Sequence, residues 1–166
     1  MYKFLDFNNT KKVIDIIKNE KFFKYDPKKD GGLESVSFYS IFEDNQEVGF
    51  FGLESREYSL CFCWFYIFKP FRHKGYGRKV LEEVIRDFKD KYGYIYGFVE
   101  EENKRALKLY LNYYFLGKSR TDLFKLDNFE KRKDVLLKNE DGLYEVCFYF
   151  NQEKFDERTL IKEYHS

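Results

Sequence analysis

A surplus of charge of one sign is missing from this sequence: 30 Lys and Arg stand against 29 Asp and Glu, leaving a net charge of +1. With no global field to draw the chain to nucleic acid or anionic lipid, neither is expected as a partner, and any basic function must be local. No apolar run approaches the length of a membrane span, and no charged start leads into a signal-type apolar segment. A cytoplasmic protein without a membrane partner is expected. The three cysteines are an odd number, and Cys61 and Cys63 have neither disulfide nor metal-ligand spacing. They read as small buried hydrophobes in a reducing compartment, and no metal is expected. Trp and Met occur once each.

Rings are what the chain has in excess, with 20 Phe and 15 Tyr. A core built largely from them is expected, in one domain, since 166 residues are too few for two ordinary domains without a visible break. Residues 2 to 7 alternate as a short strand, and Thr10 can cap the amphipathic run Val13, Ile14, Ile16, Ile17. Asp26 to Gly32 reads as a loop. Val36 to Phe42 and Val48 to Leu53 form a hairpin around Asp44-Asn45. Tyr58 to Phe68 is too continuously apolar for a one-sided strand and is placed centrally.

At Gly75 the period changes. Val80, Leu81, Val84, Ile85 and Phe88 recur at helical spacing up to Lys91, and Gly93 reads as the stop. Tyr94 to Val99 is a strand parallel to the one before the helix, completing a β-α-β unit. Asn103 to Tyr114 reads as a second helix, and strands near Lys118 to Leu126 and Leu143 to Phe150 close the domain. Residues 127 to 141 and the tail 153 to 166 carry no firm pattern. The fold class is α/β with a mixed, mostly antiparallel sheet.

The main chemical signal lies where the central strand turns into the helix: Arg72-His73-Lys74-Gly75-Tyr76-Gly77. A helix start offers unpaired backbone N–H groups and the positive end of the dipole, and glycines let a phosphate approach without a Cβ in the way. Lys69, Arg72, Lys74, Arg78 and Lys79 crowd the same stretch with no acidic residue. Other phosphate motifs fail on spacing. A dinucleotide fingerprint needs a small residue where Val80 stands, and no Gly-Lys-Ser or Gly-Lys-Thr is present for a Walker loop.

Arg72-x-x-Gly75-x-Gly77 at this junction resembles the acetyl-CoA motif of the GNAT family of N-acetyltransferases. A second block, Asn103-x-x-Ala106-x-x-x-Tyr110, resembles the spacing that this family places on its fourth helix, although Tyr114 replaces the usual glycine before Phe115. The resemblance implies a GNAT-type sheet of six or seven strands flanked by helices, with residues 1–166 forming one N-acetyltransferase domain. It implies acetyl-CoA as cosubstrate and an amine as acceptor. Cofactor contacts fall on Arg72, His73, Lys74, Gly75, Tyr76, Gly77 and Arg78, on the Ile67 backbone, and on Asn103 and Tyr110. Ile67 N–H would also serve as oxyanion donor, and Tyr110 as general acid to the leaving thiolate.

A base is needed because a lysine-like amine, with a pKa of about 10.4, is protonated at neutral pH. Glu57, Glu100 and Glu101 are the candidates. Several of the site residues have a plainer reading as well: Asn103 as a helix N-cap, Tyr110 as core, and the Glu100 to Glu102 run as a solvated face. Two alternatives stay open for the whole, a non-catalytic CoA-sensing or interaction domain and a transferase for another acyl group. The acceptor is not legible, and neither is the oligomeric state, for which a homodimer through an edge such as Leu143 to Phe150 is one outcome.

Overall fold

The computed structural model describes residues 2–5, 10–30, 33–100, 102–112 and 142–151. In chain order these form β1 (Tyr2–Phe4), α1 (Thr10–Asn19), α2 (Pro27–Asp30), β2 (Ser37–Glu43), β3 (Gln46–Ser55) and β4 (Ser59–Ile67). They continue with α3 (Tyr76–Phe88), β5 (Tyr94–Glu100), α4 (Lys104–Asn112) and β6 (Leu143–Phe150). The strands follow one another in the order β1-β2-β3-β4-β5-β6 in a mixed sheet whose β4–β5 pair is parallel. That is the expected class, with the β-α-β unit where the sequence put it. Contacts divide the chain into two compact units, Met1–Ser55 with Phe62–Val80, and Arg56–Cys61 with Leu81–Ser166.

In the first unit, β1 and β2 pair antiparallel, and β2 and β3 form the hairpin. Asp44 and Asn45 both take positive φ, 49° and 66°, the conformation a two-residue hairpin loop requires to match strand twist. On α1, Val13 and Ile17 are one turn apart and fully buried, each worth about 1.5–3 kcal/mol of burial. They form a core cluster with Leu33, Phe38 and Phe50, against which Phe23, Trp64, Tyr66 and Phe68 pack. A second set of rings runs Tyr39, Phe51, Phe62, Phe65. Phe51 stacks on Tyr39 at 5.2 Å and on Phe62 at 5.1 Å, and Phe62 meets Phe65 at 5.3 Å.

These two ring sets show that β4 is not a regular strand. Cys63, an odd position, would lie 3.3 Å from a side chain at Gly52 on the Phe38 side, yet the even positions Trp64, Tyr66 and Phe68 pack on that same cluster. Phe62 and Phe65, one even and one odd, share the opposite set. The alternation therefore slips by one residue at Trp64, whose φ is 51°. A bulky residue held there marks a bulge, which adds twist and re-aims the side chains that follow.

In the second unit, Leu81 and Val84 of α3 are fully buried, and β5 and β6 pair antiparallel from Tyr94↔Phe150 to Glu100↔Leu143. Leu107 and Tyr110 bury the inner side of α4, and the Tyr110 ring meets the edge of Phe148 at 5.0 Å.

Two expectations change in detail. The loop at Asp26 to Gly32 contains a helical turn, α2, because Asp26 Oδ1 accepts a hydrogen bond from Lys28 N–H and Pro27 suits a first helical position. Gly93 is not the helix stop, since α3 ends at Phe88 and a turn follows in which Tyr92 N–H bonds Phe88 O. Gly93 N–H instead donates to Tyr58 O, leading the chain into β5. The strand expected at residues 118 to 126, the segment 127 to 141 and the tail lie outside the described residues.

Candidate functional site

The turn between β4 and α3 is built by a short series of backbone commitments. Phe68 N–H donates to Val48 O at 2.9 Å, which anchors the end of β4 on β3. Pro70 then favours a 3-10 turn over Lys69–Phe71, in which Phe71 N–H bonds Phe68 O and Arg72 N–H bonds Lys69 O. Two residues of the following loop take left-handed φ, His73 at 65° and Gly75 at 82°. A Cβ added at Gly75 would meet no atom within 4 Å, so the glycine is required here by conformation and faces open space.

The first helical hydrogen bond of α3 runs from Lys79 N–H to Gly75 O. The amides of Tyr76 and Gly77 precede it and have no partner inside the helix. Around them Lys69, Lys74, Arg78 and Lys79 are exposed and Arg72 is half-buried. Two of these cations lie over rings of their own segment, Lys74 Nζ 5.9 Å from the Phe71 centroid and Lys79 Nζ 5.8 Å from that of Tyr76. Among the described residues of the turn there is no carboxylate to cancel the charge. The arrangement suits an anion of phosphate type.

Arg72 does more than carry charge. Its Nε donates to Ile67 O at 2.8 Å, and its Cζ sits 5.2 Å from the centroid of the Tyr66 ring. The side chain thus folds back over the end of β4. The Tyr66 hydroxyl donates to Glu20 Oε1 at 3.0 Å. Burial raises the Tyr66 pKa above its ordinary value, the hydrogen bond and charge of Glu20 add to the rise, and Arg72 opposes it. Sequence reading missed Glu20, Tyr66 and the Trp64 bulge. Glu20 and Tyr66 are 46 positions apart, and no local pattern links them.

The other expected residues fall as follows. Ile67 ends β4, with its carbonyl taken by Arg72. Asn103 is the N-cap of α4: its Oδ1 accepts from Ala106 N–H at 3.3 Å and its carbonyl from Leu107 N–H at 3.0 Å. The cap uses only Oδ1, so Nδ2 is not committed by it. Tyr110 is 4% exposed. Glu57 is exposed in the turn that enters β4, and Glu100 is half-buried at the end of β5. Glu101 lies outside the described residues.

The model of the acetyltransferase (GNAT) family matches residues 9–113, more than half of the sequence. The chain belongs to the GNAT acetyltransferase family.

Its fold is shared with solved GNAT structures at low identity. An acetyltransferase of the family from Elizabethkingia anophelis with acetyl-CoA bound superposes with a TM-score of 0.62 at 14% identity, covering 90% of this chain and 97% of that one. The ribosomal-protein-S18-alanine N-acetyltransferase from Escherichia coli gives 0.61 at 13% identity, over 94% and 98%. The Campylobacter jejuni N-acetyltransferase PseH in complex with acetyl coenzyme A gives 0.55 at 20% identity, over 91% and 100%. No curated protein sequence matches significantly. The matched region of this GNAT chain holds the β4 to α3 turn, Asn103 and Tyr110.

Proposed function

We propose that this GNAT protein binds acetyl-CoA through the Arg72 to Gly77 turn and transfers the acetyl group to a primary amine of a small molecule or peptide. The observation that carries the reading is Gly75, left-handed and facing open space, ahead of the amides of Tyr76 and Gly77, which have no partner inside the helix. A pyrophosphate needs such a bare backbone. Solved relatives of the same fold bind acetyl-CoA, and one, a spermidine N-acetyltransferase from Vibrio cholerae, was crystallised with CoA and spermine.

The thioester of acetyl-CoA is an already activated acyl donor, so direct attack in a ternary complex needs no covalent enzyme intermediate. The turn binds the phosphates, with Arg72, Lys74 and Arg78 adding charge. Because Phe68 N–H points to β3 and successive residues of a strand alternate, the Ile67 amide points the other way. We assign it the oxyanion contact. Glu100, half-buried, is taken ahead of exposed Glu57 as the group that removes the amine proton, and Tyr110 protonates the departing thiolate.

A screen for free CoA release across polyamines, amino acids, aminoglycosides and peptide amines tests transfer. Sustained turnover with an amine supports it. Acetyl-CoA binding without turnover on any acceptor would point instead to a CoA-sensing domain.

A further inference from the structure

The arginine of the phosphate turn has an unusual setting. Among the described residues no carboxylate forms an ion pair with Arg72. It is held by a carbonyl, Ile67 O, and by Tyr66, over whose ring it lies. Both hold a guanidinium in place without neutralising it. Glu20 bonds the Tyr66 hydroxyl beneath this group and forms no ion pair with the guanidinium. Had Glu20 bonded Arg72 directly, the pair would have cancelled the charge an anionic ligand needs.

The Tyr66 ring is itself fixed. Phe50, fully buried, stacks on it at 5.5 Å and 22°, Phe68 meets it edge-on at 5.8 Å, and its hydroxyl is tied to Glu20 just beyond α1. Arginine otherwise has many rotamers to lose on binding a ligand, and a planar platform removes that freedom in advance. Tyr66 also follows the Trp64 bulge by two residues, and without that slip it would lie on the opposite side of β4.

We propose that Tyr66 and Glu20 are positioning residues for donor binding: the Glu20–Tyr66 hydrogen bond sets a ring platform that holds the Arg72 guanidinium against Ile67 O, preorganised and still cationic, for the donor's phosphates. The inference rests on the proposed binding of acetyl-CoA at the Arg72 to Gly77 turn. It makes the bond between Glu20, beyond α1, and β4 part of the phosphate site.

The test uses the full chain, with Tyr66→Phe, Tyr66→Leu, Glu20→Gln, Glu20→Ala and Arg72→Ala, and two donors, acetyl-CoA and S-acetylpantetheine, which lacks the pyrophosphate. Tyr66→Leu removes platform and hydroxyl together, and its acetyl-CoA dissociation constant rises by about tenfold, the size of a partly desolvated cation–π contact. Tyr66→Phe and Glu20→Ala, which keep the ring and guard against misfolding, give smaller rises of about two- to threefold. Glu20→Gln, whose amide oxygen can accept the same hydroxyl, restores most of the affinity lost in Glu20→Ala. In the Tyr66 and Glu20 variants the KM for S-acetylpantetheine rises far less than the dissociation constant for acetyl-CoA.

Adding Tyr66→Leu to Arg72→Ala costs nothing further, since one acts through the other. Equal losses for both donors, or losses at Tyr66 and Arg72 that multiply in the double variant, would overturn the proposal. The Arg72 Nε–H resonance supplies a reading independent of ligand: it is protected from exchange in wild type and exposed in Tyr66→Leu. Equal protection in the two sinks the positioning role, whereas a wild-type protein that binds no acetyl-CoA sinks the proposed function instead.

Discussion

Replacing Gly75 by alanine separates backbone strain from ligand contact at the phosphate turn. Its φ of 82° costs an L-residue about 1–2 kcal/mol, of which about 0.4–1 kcal/mol is recovered because alanine stiffens the unfolded chain. No atom lies within 4 Å of the added Cβ, so there is no overpacking to add. The net loss is about 1 kcal/mol, or about 2–4 °C in Tm for a chain of this size. A methyl group in the open space of the turn would also stand between a phosphate and the amides of Tyr76 and Gly77. Acetyl-CoA affinity should therefore fall by at least about tenfold, or about 1.4 kcal/mol.

Gly142→Ala is the matched control. Its φ is 79° and its Cβ would also meet nothing within 4 Å, but it precedes β6. The same loss of stability is expected there, with acetyl-CoA affinity unchanged. Thermal unfolding and calorimetry on both variants check the pair. Should Gly75→Ala lose stability yet bind as wild type does, or should both variants lose affinity equally, the phosphate does not lie against this backbone.

Gly49→Ala drives a Cβ into Tyr66 O and 3.0 Å from Ile67 Cα, so β3 and β4 must part and stability drops by about 2–3 kcal/mol in urea unfolding. A loss under about 0.5 kcal/mol would show that the two strands do not approach so closely. Tyr110→Phe keeps the ring on Phe148, so acetyl-CoA binding is spared while turnover slows by about a hundredfold in steady-state assays. Unchanged turnover would return Tyr110 to the core. The raised pKa of Tyr66 means that the folded protein favours the neutral phenol. Its contribution is complete below the unfolded tyrosine pKa of about 10 and is lost as pH rises through the higher folded value. Wild type should accordingly lose more stability than Tyr66→Phe between neutral and strongly alkaline pH. Parallel losses would contradict the shift.

What was legible in the sequence is what local chemistry dictates. Asp44-Asn45 announces a turn because both residues tolerate positive φ, and the Val80 to Phe88 stripe announces a helix because one face must be buried. Gly75 was legible for the same reason, and so was Asn103 as a cap. Trp64 was not, since a bulge carried by a tryptophan has no sequence signature. Residues 58 to 68 look like one continuous strand, and the slip appears only when Phe62 and Phe65 are seen on one side and Trp64 and Tyr66 on the other. Arg72 was legible as the arginine of the motif, but not the fold-back of its side chain onto Ile67 O and Tyr66, which no local pattern encodes.

Titration of the wild-type chain with acetyl-CoA in a calorimeter is the most direct measurement. Saturable binding of one molecule per chain, strongly weakened in Gly75→Ala and in Arg72→Ala, is the expected result. No detectable heat or saturation at millimolar acetyl-CoA, from a protein that unfolds cooperatively, would contradict the assignment of the Arg72 to Gly77 turn as the donor site.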